Sequence, residues 1–112
     1  MWTDVVSVPY DVYDAWQEFI IVMPLWGVRK DSVHVALTED TLTITWERQK
    51  PTPKDASKPL IEGCFWGNFH QSIKIPSAVN IDKIWSELTI ENVLILILPK
   101  AITSEEIVVH IR

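Results

Sequence analysis

The residues that could carry chemistry are few and scattered in this sequence. The three histidines, His34, His70 and His110, lie far apart without metal-ligand spacing, and with one cysteine they give no zinc pattern. The sequence contains no nucleotide-binding glycine-rich loop and no nucleophile-elbow motif, and its carboxylates form no convincing acid–base pair. We therefore predict that the protein is not an enzyme and has no catalytic residue, metal site or cofactor.

Composition and charge exclude further classes of protein. A chain of 112 residues with 47% hydrophobic content fits one compact domain. Its net charge of −5 argues against a basic surface that binds the phosphate backbone of nucleic acid. No apolar run approaches the ~20 residues of a membrane-spanning helix, and the N-terminus lacks the layout of a signal peptide. A single cysteine fits a reducing compartment. These features predict a cytoplasmic protein that binds neither nucleic acid nor membrane.

The elements that must position any binding surface are strands, because the dominant period of the apolar residues is two. In the stretch NVLILILPK, residues 92–100, six consecutive aliphatic side chains alternate between two faces, so both faces need to be covered. Residues 33–37 and 42–46 alternate around a short polar turn, which is typical of a hairpin with Thr43 and Thr45 facing outward. Seven or eight short strands separated by turns predict an all-β fold, an immunoglobulin-like β-sandwich.

Two segments do not have strand character. Residues 49–59 hold three of the seven prolines and predict an exposed loop. Residues 101–112 could begin a short helix, but their β-branched side chains favour an extended tail. We therefore divide the chain into a short N-terminal arm at 1–8, a sandwich domain at 9–100 and a C-terminal extension at 101–112.

The aromatic residues and the cysteine are expected mainly in the core. Six tryptophans are unusual for this length, and core packing is the better prediction for any one of them. Trp2, Trp26 and Trp66 are the candidates for exposed contact residues, because they lie near turns or the terminus. Cys64, beside two aromatics, is expected to be buried and inert.

Four segments together resemble the α-crystallin domain of small heat-shock proteins, over nearly the whole chain. VPYDVYDAWQEFIIVMP is similar to the family's P-x-D-hydrophobic opening, and GVRKDSVHVALTEDTLTITWERQ to its hairpin ending in LTI-x-G-ER. EGCFWGNFHQSIKIPSAVNIDKI resembles the G-x-F-x-R-x-hydrophobic-x-LP segment, and ENVLILILPK resembles the N-G-V-L strand that ends in PK. The family's arginine falls on Gln71, so its dimer-interface salt bridge is not carried over. The family's glycine falls on Asn92, which tolerates the same left-handed backbone.

The resemblance implies an ATP-independent holdase, a chaperone that binds partly unfolded client proteins through apolar surface and prevents their aggregation. In the family, the last strand and the LTI strand bound a groove that accepts an I-x-I/V motif from a C-terminal extension. One face of residues 92–100 would then meet the core and the other the tail. The groove residues that correspond here are Leu42, Ile44, Leu94, Leu96 and Leu98, and the motif residues of the tail are Ile107, Val109 and Ile111.

Self-association as a dimer, or a small oligomer, is also implied. In bacterial and plant-like members a long loop carries a short strand that pairs with the partner's sheet. Residues 49–64 are long enough for this, with Leu60, Ile61 and Glu62 as the exchanged strand. Only residues 1–8 precede the first strand, so we expect an assembly smaller than the family's large shells.

Simpler interpretations of the same features stay open. A doubly apolar strand can be a central sandwich strand covered by its own domain, and the terminal IVVHIR can be an edge strand that folds back on its own chain. The proline-rich loop can be an ordinary surface loop. A different function is also possible, because the CS domain of co-chaperones shares the sandwich architecture. Such an adaptor binds one specific partner, is monomeric and does not suppress the aggregation of unrelated proteins.

Overall fold

The computed structural model describes residues 8–52 and 58–101, which form two antiparallel sheets packed against each other. Two short 3-10 helices, Lys30–Ser32 and Ile81–Lys83, lie in the connections. The described strands are β1 (Asp11–Asp14), β2 (Glu18–Pro24), β3 (His34–Thr38), β4 (Thr41–Arg48), β5 (Gly67–Lys74), β6 (Trp85–Leu88) and β7 (Val93–Pro99). The prediction of an all-β sandwich with seven to eight strands is confirmed.

Strand order determines which strands are interior and which are edges. One sheet has the order β1-β2-β7-β6 and the other the order β3-β4-β5. β2, β7 and β4 are therefore interior strands, whereas β1, β6, β3 and β5 are edges. The predicted hairpin is confirmed as β3 and β4, with Leu37 opposite Leu42 and Thr38 opposite Thr41. Its two-residue turn places Glu39 in the left-handed region, at φ 57°.

The turn before β7 is also the one that the sequence indicates. Asn92 has φ 66°, and its N–H donates to the carbonyl of Thr89 at 2.9 Å. The Thr89 hydroxyl accepts from the N–H of Val93 at 3.1 Å, and the Asn92 carbonyl accepts from the N–H of Leu25. An asparagine adopts this conformation at lower cost than most residues, so the turn fixes the pairing of β6 with β7.

The core lies between the inner faces of the two sheets. Trp46 of the interior strand β4 stacks on Phe69 of the neighbouring strand β5, with ring centroids 5.6 Å apart. Val8, assigned to the arm, is also buried there, and its N–H lies 3.4 Å from Oε1 of Gln71. The buried apolar residues are Val8, Phe19, Ile21, Met23, Leu25, Leu42, Ile44, Trp46, Phe69, Ile73, Ile75, Leu94, Leu96 and Leu98.

Several aromatic residues lie outside this core. Trp26 is exposed as predicted, but Trp16 and Trp85 are exposed too, so the general prediction of core packing is wrong for them. Both lie at a sheet edge or a turn, where an aromatic side chain meets solvent on at least one side. Cys64 is exposed, so its predicted burial is also wrong, because it lies in the irregular segment before β5 and not on a strand. Trp2 lies outside the described residues.

Candidate functional site

An apolar groove opens where the two sheets meet along their edge strands β3 and β6. It has a volume of about 380 Å³. Val35 and Leu37 come from β3, and Ser86 comes from β6, so each sheet supplies one wall. Leu42 and Leu96 are fully buried and form the floor. The full lining is Val35, Leu37, Leu42, Ile81, Ile84, Ser86 and Leu96.

The structure places the five predicted groove residues differently from the expectation. Leu42 and Leu96 line the groove, but Ile44, Leu94 and Leu98 do not, and all five belong to the core between the sheets. β4 and β7 are interior strands with paired neighbours on both sides, so neither can accept a further strand. The walls open to an incoming segment are therefore β3 and β6, and the choice of bounding strands is revised accordingly.

Edge strands are the part of a sheet that can pair with another chain. Within the described residues β3 pairs only with β4 and β6 pairs only with β7, so each leaves one row of peptide groups without a strand partner. An extended segment entering the groove can take up these hydrogen bonds while its side chains enter the apolar lining. The sequence shows the alternation of Val35 and Leu37, but nothing local in it identifies β3 as an edge.

The predicted exchange segment is exposed and irregular in the single chain. Leu60 is 97% exposed and Ile61 is 89% exposed, and residues 58–66 belong to no strand. Nζ of Lys50 lies 3.1 Å from Oε2 of Glu62, which links the two ends of the loop. Two adjacent aliphatic side chains with this exposure are consistent with a segment that packs against another molecule. Exchange with a second subunit stays a prediction.

The predicted tail motif, Ile107, Val109 and Ile111, lies outside the described residues. The described chain ends at Ala101, whose N–H donates to the carbonyl of Ala78 at 3.0 Å. Ala78 belongs to the same connection that supplies Ile81 to the groove. The last described residue is thus hydrogen-bonded to a connection that also lines the groove. Docking of the motif stays a prediction.

Several charged groups of the described residues make surface ion pairs. Nζ of Lys100 lies 2.6 Å from Oδ1 of Asp14, and this hydrogen bond lowers the pKa of Asp14. The hydrogen bond from Arg29 to Glu47, with Asp31 nearby, raises the pKa of Arg29. Among residues 8–52 and 58–101, no cluster of three or more histidine, cysteine or carboxylate groups could hold a metal ion. In the same ranges no helix is both long enough and apolar enough to cross a membrane.

Comparison with known proteins agrees with this architecture. The family model described as "Hsp20/alpha crystallin family" matches residues 11–112, so the chain belongs to that family. The resemblance found in the sequence is confirmed. The family consists of chaperones that work without ATP and not of enzymes, which gives the chain a chaperone role in general terms. No curated protein matches the sequence.

Solved structures of small heat-shock proteins show the same fold. Heat shock protein 16.0 from Schizosaccharomyces pombe has a TM-score of 0.74 at 24% identity, with 94% of this chain and 99% of that chain covered. A small heat-shock protein from Xylella fastidiosa, described as having a distinct high order structure, has a TM-score of 0.73 at 18% identity, with 96% and 97% covered. AgsA from Salmonella typhimurium, as a C-terminally truncated form, has a TM-score of 0.65 at 16% identity, with 96% and 99% covered.

Proposed function

We propose that this protein is an ATP-independent holdase that binds partly unfolded client proteins and prevents their aggregation. The observation that carries the proposal is the open apolar groove between the edge strands β3 and β6, in a domain of a chaperone family. The groove offers apolar side chains and unpaired peptide groups together. An unfolded segment presents the same two kinds of group, which a folded protein buries.

Reversible occupation of the groove is part of this proposal. Burying two aliphatic side chains contributes roughly 3 to 6 kcal/mol, and ordering four residues costs about 1 to 2 kcal/mol each. The two nearly cancel, so backbone pairing at a strand edge decides the balance. The tail residues Ile107, Val109 and Ile111 occupy the groove at rest and leave it when a client segment competes.

Self-association belongs to the same mechanism. The exposed residues Leu60, Ile61 and Glu62 support a strand exchanged between two subunits, because their aliphatic side chains have no cover within the described part of the chain. A dimer brings two grooves into one particle. A tail from one subunit can then dock on its neighbour, which links client release to assembly.

The test is light scattering of reduced insulin, without nucleotide, in the presence of the protein. We expect suppression near stoichiometric amounts. The groove variant Val35→Ser/Ile81→Ser weakens suppression, whereas Ala36→Ser, on the opposite face of β3, leaves it unchanged. The tail variant Val109→Ser/Ile111→Ser changes suppression or assembly size, measured by sedimentation.

Each outcome separates one element of the proposal. If the groove and tail variants both behave as wild type, the groove is not the binding site, although the holdase stands. If the wild-type protein suppresses nothing at any ratio, the holdase is wrong, and an adaptor for one specific partner explains the sandwich better.

A further inference from the structure

The outer face of the four-stranded sheet carries a row of apolar side chains that crosses all four strands. Tyr13 lies opposite Ile20, Ile20 opposite Ile97, and Ile97 opposite Trp85. Residues paired in this way share one face of the sheet. The row therefore has two aliphatic residues in the centre and one aromatic residue at each end.

The next row on this face ends in carboxylates instead of aromatics. Asp11 lies opposite Val22, Val22 opposite Ile95, and Ile95 opposite Glu87. Glu18, opposite Pro99, adds a third acidic group on the same face. We call the face formed by these two rows and Glu18 the ladder face.

The ladder face has no cover among the described elements. Its aliphatic residues are only partly buried and are not in the core cluster, because the other sheet packs on the opposite face. Tyr13 is 52% exposed and Trp85 is 53% exposed. A contiguous apolar surface of this kind marks a contact site, because a sheet that meets water on one side ordinarily alternates apolar and polar residues.

Every charged group on the ladder face is acidic. None of the strand positions that share this face is Lys or Arg, and within residues 8–52 and 58–101 Asp11, Glu18 and Glu87 have no salt-bridge partner. The field over this face is therefore negative and attracts cations. A second copy of the same face is a poor occupant, since it brings like charges together around the apolar centre.

We propose that the ladder face binds extended client segments whose aliphatic or aromatic core is flanked by lysine or arginine. This inference rests on the proposed holdase function and names the class of segment that it selects. Strands lie about 4.8 Å apart, so Asp11 and Glu87, at the two edges, are separated by roughly 14 Å. An extended chain advances ~3.3 Å per residue, which places the matching basic residues about four positions apart.

The first test uses wild-type protein and three dye-labelled peptides. Each has the core Ile-Phe-Val, flanked on both sides by lysine, by glutamate or by serine, and binding is measured by fluorescence anisotropy. We expect the lysine-flanked peptide to bind about tenfold more tightly than the glutamate-flanked one at low salt, with the serine-flanked peptide between them. The difference shrinks at high salt, where exposed charges are screened. Equal binding of the lysine and glutamate peptides contradicts the proposal.

The second test assigns the binding to the ladder face. Tyr13→Ser/Trp85→Ser weakens binding of the lysine-flanked peptide about tenfold, because it removes both exposed aromatic ends of the row. Trp26→Ser, which removes a tryptophan of similar exposure outside this face, leaves binding unchanged. Asp11→Asn/Glu87→Gln abolishes the preference for lysine over glutamate, whereas Glu39→Gln/Asp82→Asn, with the same loss of charge elsewhere, keeps it.

The remaining outcomes distinguish failure of this inference from failure of the holdase function. If Tyr13→Ser/Trp85→Ser changes the sedimentation coefficient and not peptide binding, the face is covered by a second copy. If both pairs of carboxylate variants lose the preference equally, net charge and not this face selects the peptides. If insulin is protected but the peptides show no preference, only this inference fails. If the peptide preference is present and insulin is not protected, the holdase fails instead.

Discussion

The outer faces of the two sheets have opposite chemistry although the sheets share one core. On the three-stranded sheet the outer positions of β4 are Thr41, Thr43, Thr45 and Glu47, and they lie opposite Lys74, Ser72, His70 and Asn68. On the four-stranded sheet the corresponding central positions of β2 and β7 are Ile20, Val22, Ile95 and Ile97. The outer face of the three-stranded sheet is therefore polar and needs no cover from water, whereas the outer face of the four-stranded sheet is apolar.

This difference follows from the residue patterns of the central strands. Threonine is β-branched and suits a strand, yet its hydroxyl is satisfied by water, so β4 needs cover on one side only. β7 is aliphatic at both alternating sets of positions, and the opposite sheet covers only Leu94, Leu96 and Leu98. A domain built this way keeps binding surface available without unfolding, which suits a chaperone.

The largest difference in the free energy of unfolding is expected between substitutions of two neighbouring residues of β7 whose side chains lie on opposite faces of the sheet. Leu96→Ala removes a fully buried side chain, so it lowers the free energy of unfolding by about 2 to 5 kcal/mol. Ile97→Ala, on the half-buried outer face, costs only about 1 kcal/mol, because its side chain buries less area. Urea denaturation of both variants measures the contrast. Equal losses would show that the outer face is as well covered as the core.

A charge placed at the centre of each outer face gives the next largest contrast. Ile95→Asp lowers the free energy of unfolding by about 1 to 2 kcal/mol more than Thr43→Asp, since only the first replaces an apolar contact surface. The poor strand propensity of aspartate affects both variants equally and cancels. Thermal unfolding measures stability, and Nile red fluorescence, expected to fall only for Ile95→Asp, reports the apolar surface. An equal fall for Thr43→Asp would remove the distinction between the faces.

Two of the turns that contain a left-handed residue, at Asn92 and at Glu39, should respond in opposite directions. Asn92→Ala destabilises by about 1 kcal/mol, because alanine loses the asparagine's tolerance of φ 66°. Glu39→Gly, at φ 57°, stabilises by up to about 1 kcal/mol, since glycine carries no Cβ penalty there. Guanidinium denaturation checks both. A destabilised Glu39→Gly variant would mean that the glutamate side chain contributes more than the backbone strain costs.

The smallest effect concerns the ion pair that joins β1 to the residue after β7. The pKa of Asp14 is lowered below its ordinary 3.8 by the hydrogen bond from Lys100, so this pair stabilises the fold above that pH. The contribution is lost as the pH falls through the lowered pKa. Asp14→Asn is therefore slightly less stable than wild type at pH 7, and the two converge in melting temperature once the pH has fallen below the lowered pKa. A difference that persists in acid would point to a cause other than the charge.

Part of the fold could be predicted from the sequence because its signals are local. The hairpin of β3 and β4 depends on alternation within about fourteen residues, and the turn at Asn92 depends on one residue type. The bounding strands of the groove could not be chosen in this way. The resemblance to the family implies a groove at β4 and β7, but both strands are interior, and a groove for an incoming segment needs edges.

The tryptophans also show that burial cannot always be predicted from local sequence. Trp46 and Trp85 both lie on strands, yet one stacks on Phe69 in the core and the other ends a row on the ladder face. For β4, threonines between the apolar residues already indicate which side is buried. For β6, the burial of Trp85 depends on its pairing with Ile97 and on the edge position of the strand, both of which are long-range.

Local signals are enough to predict a β-sandwich, the position of its hairpin and the family that the chain resembles, since alternation and turn residues act over a few positions. Long-range pairing places β3 and β6 at the sheet edges that flank the groove, and it gathers the carboxylates at 11, 18 and 87 around one apolar face. The reason is that strand order and register bring together residues more than seventy positions apart, and no local pattern encodes which neighbours they receive.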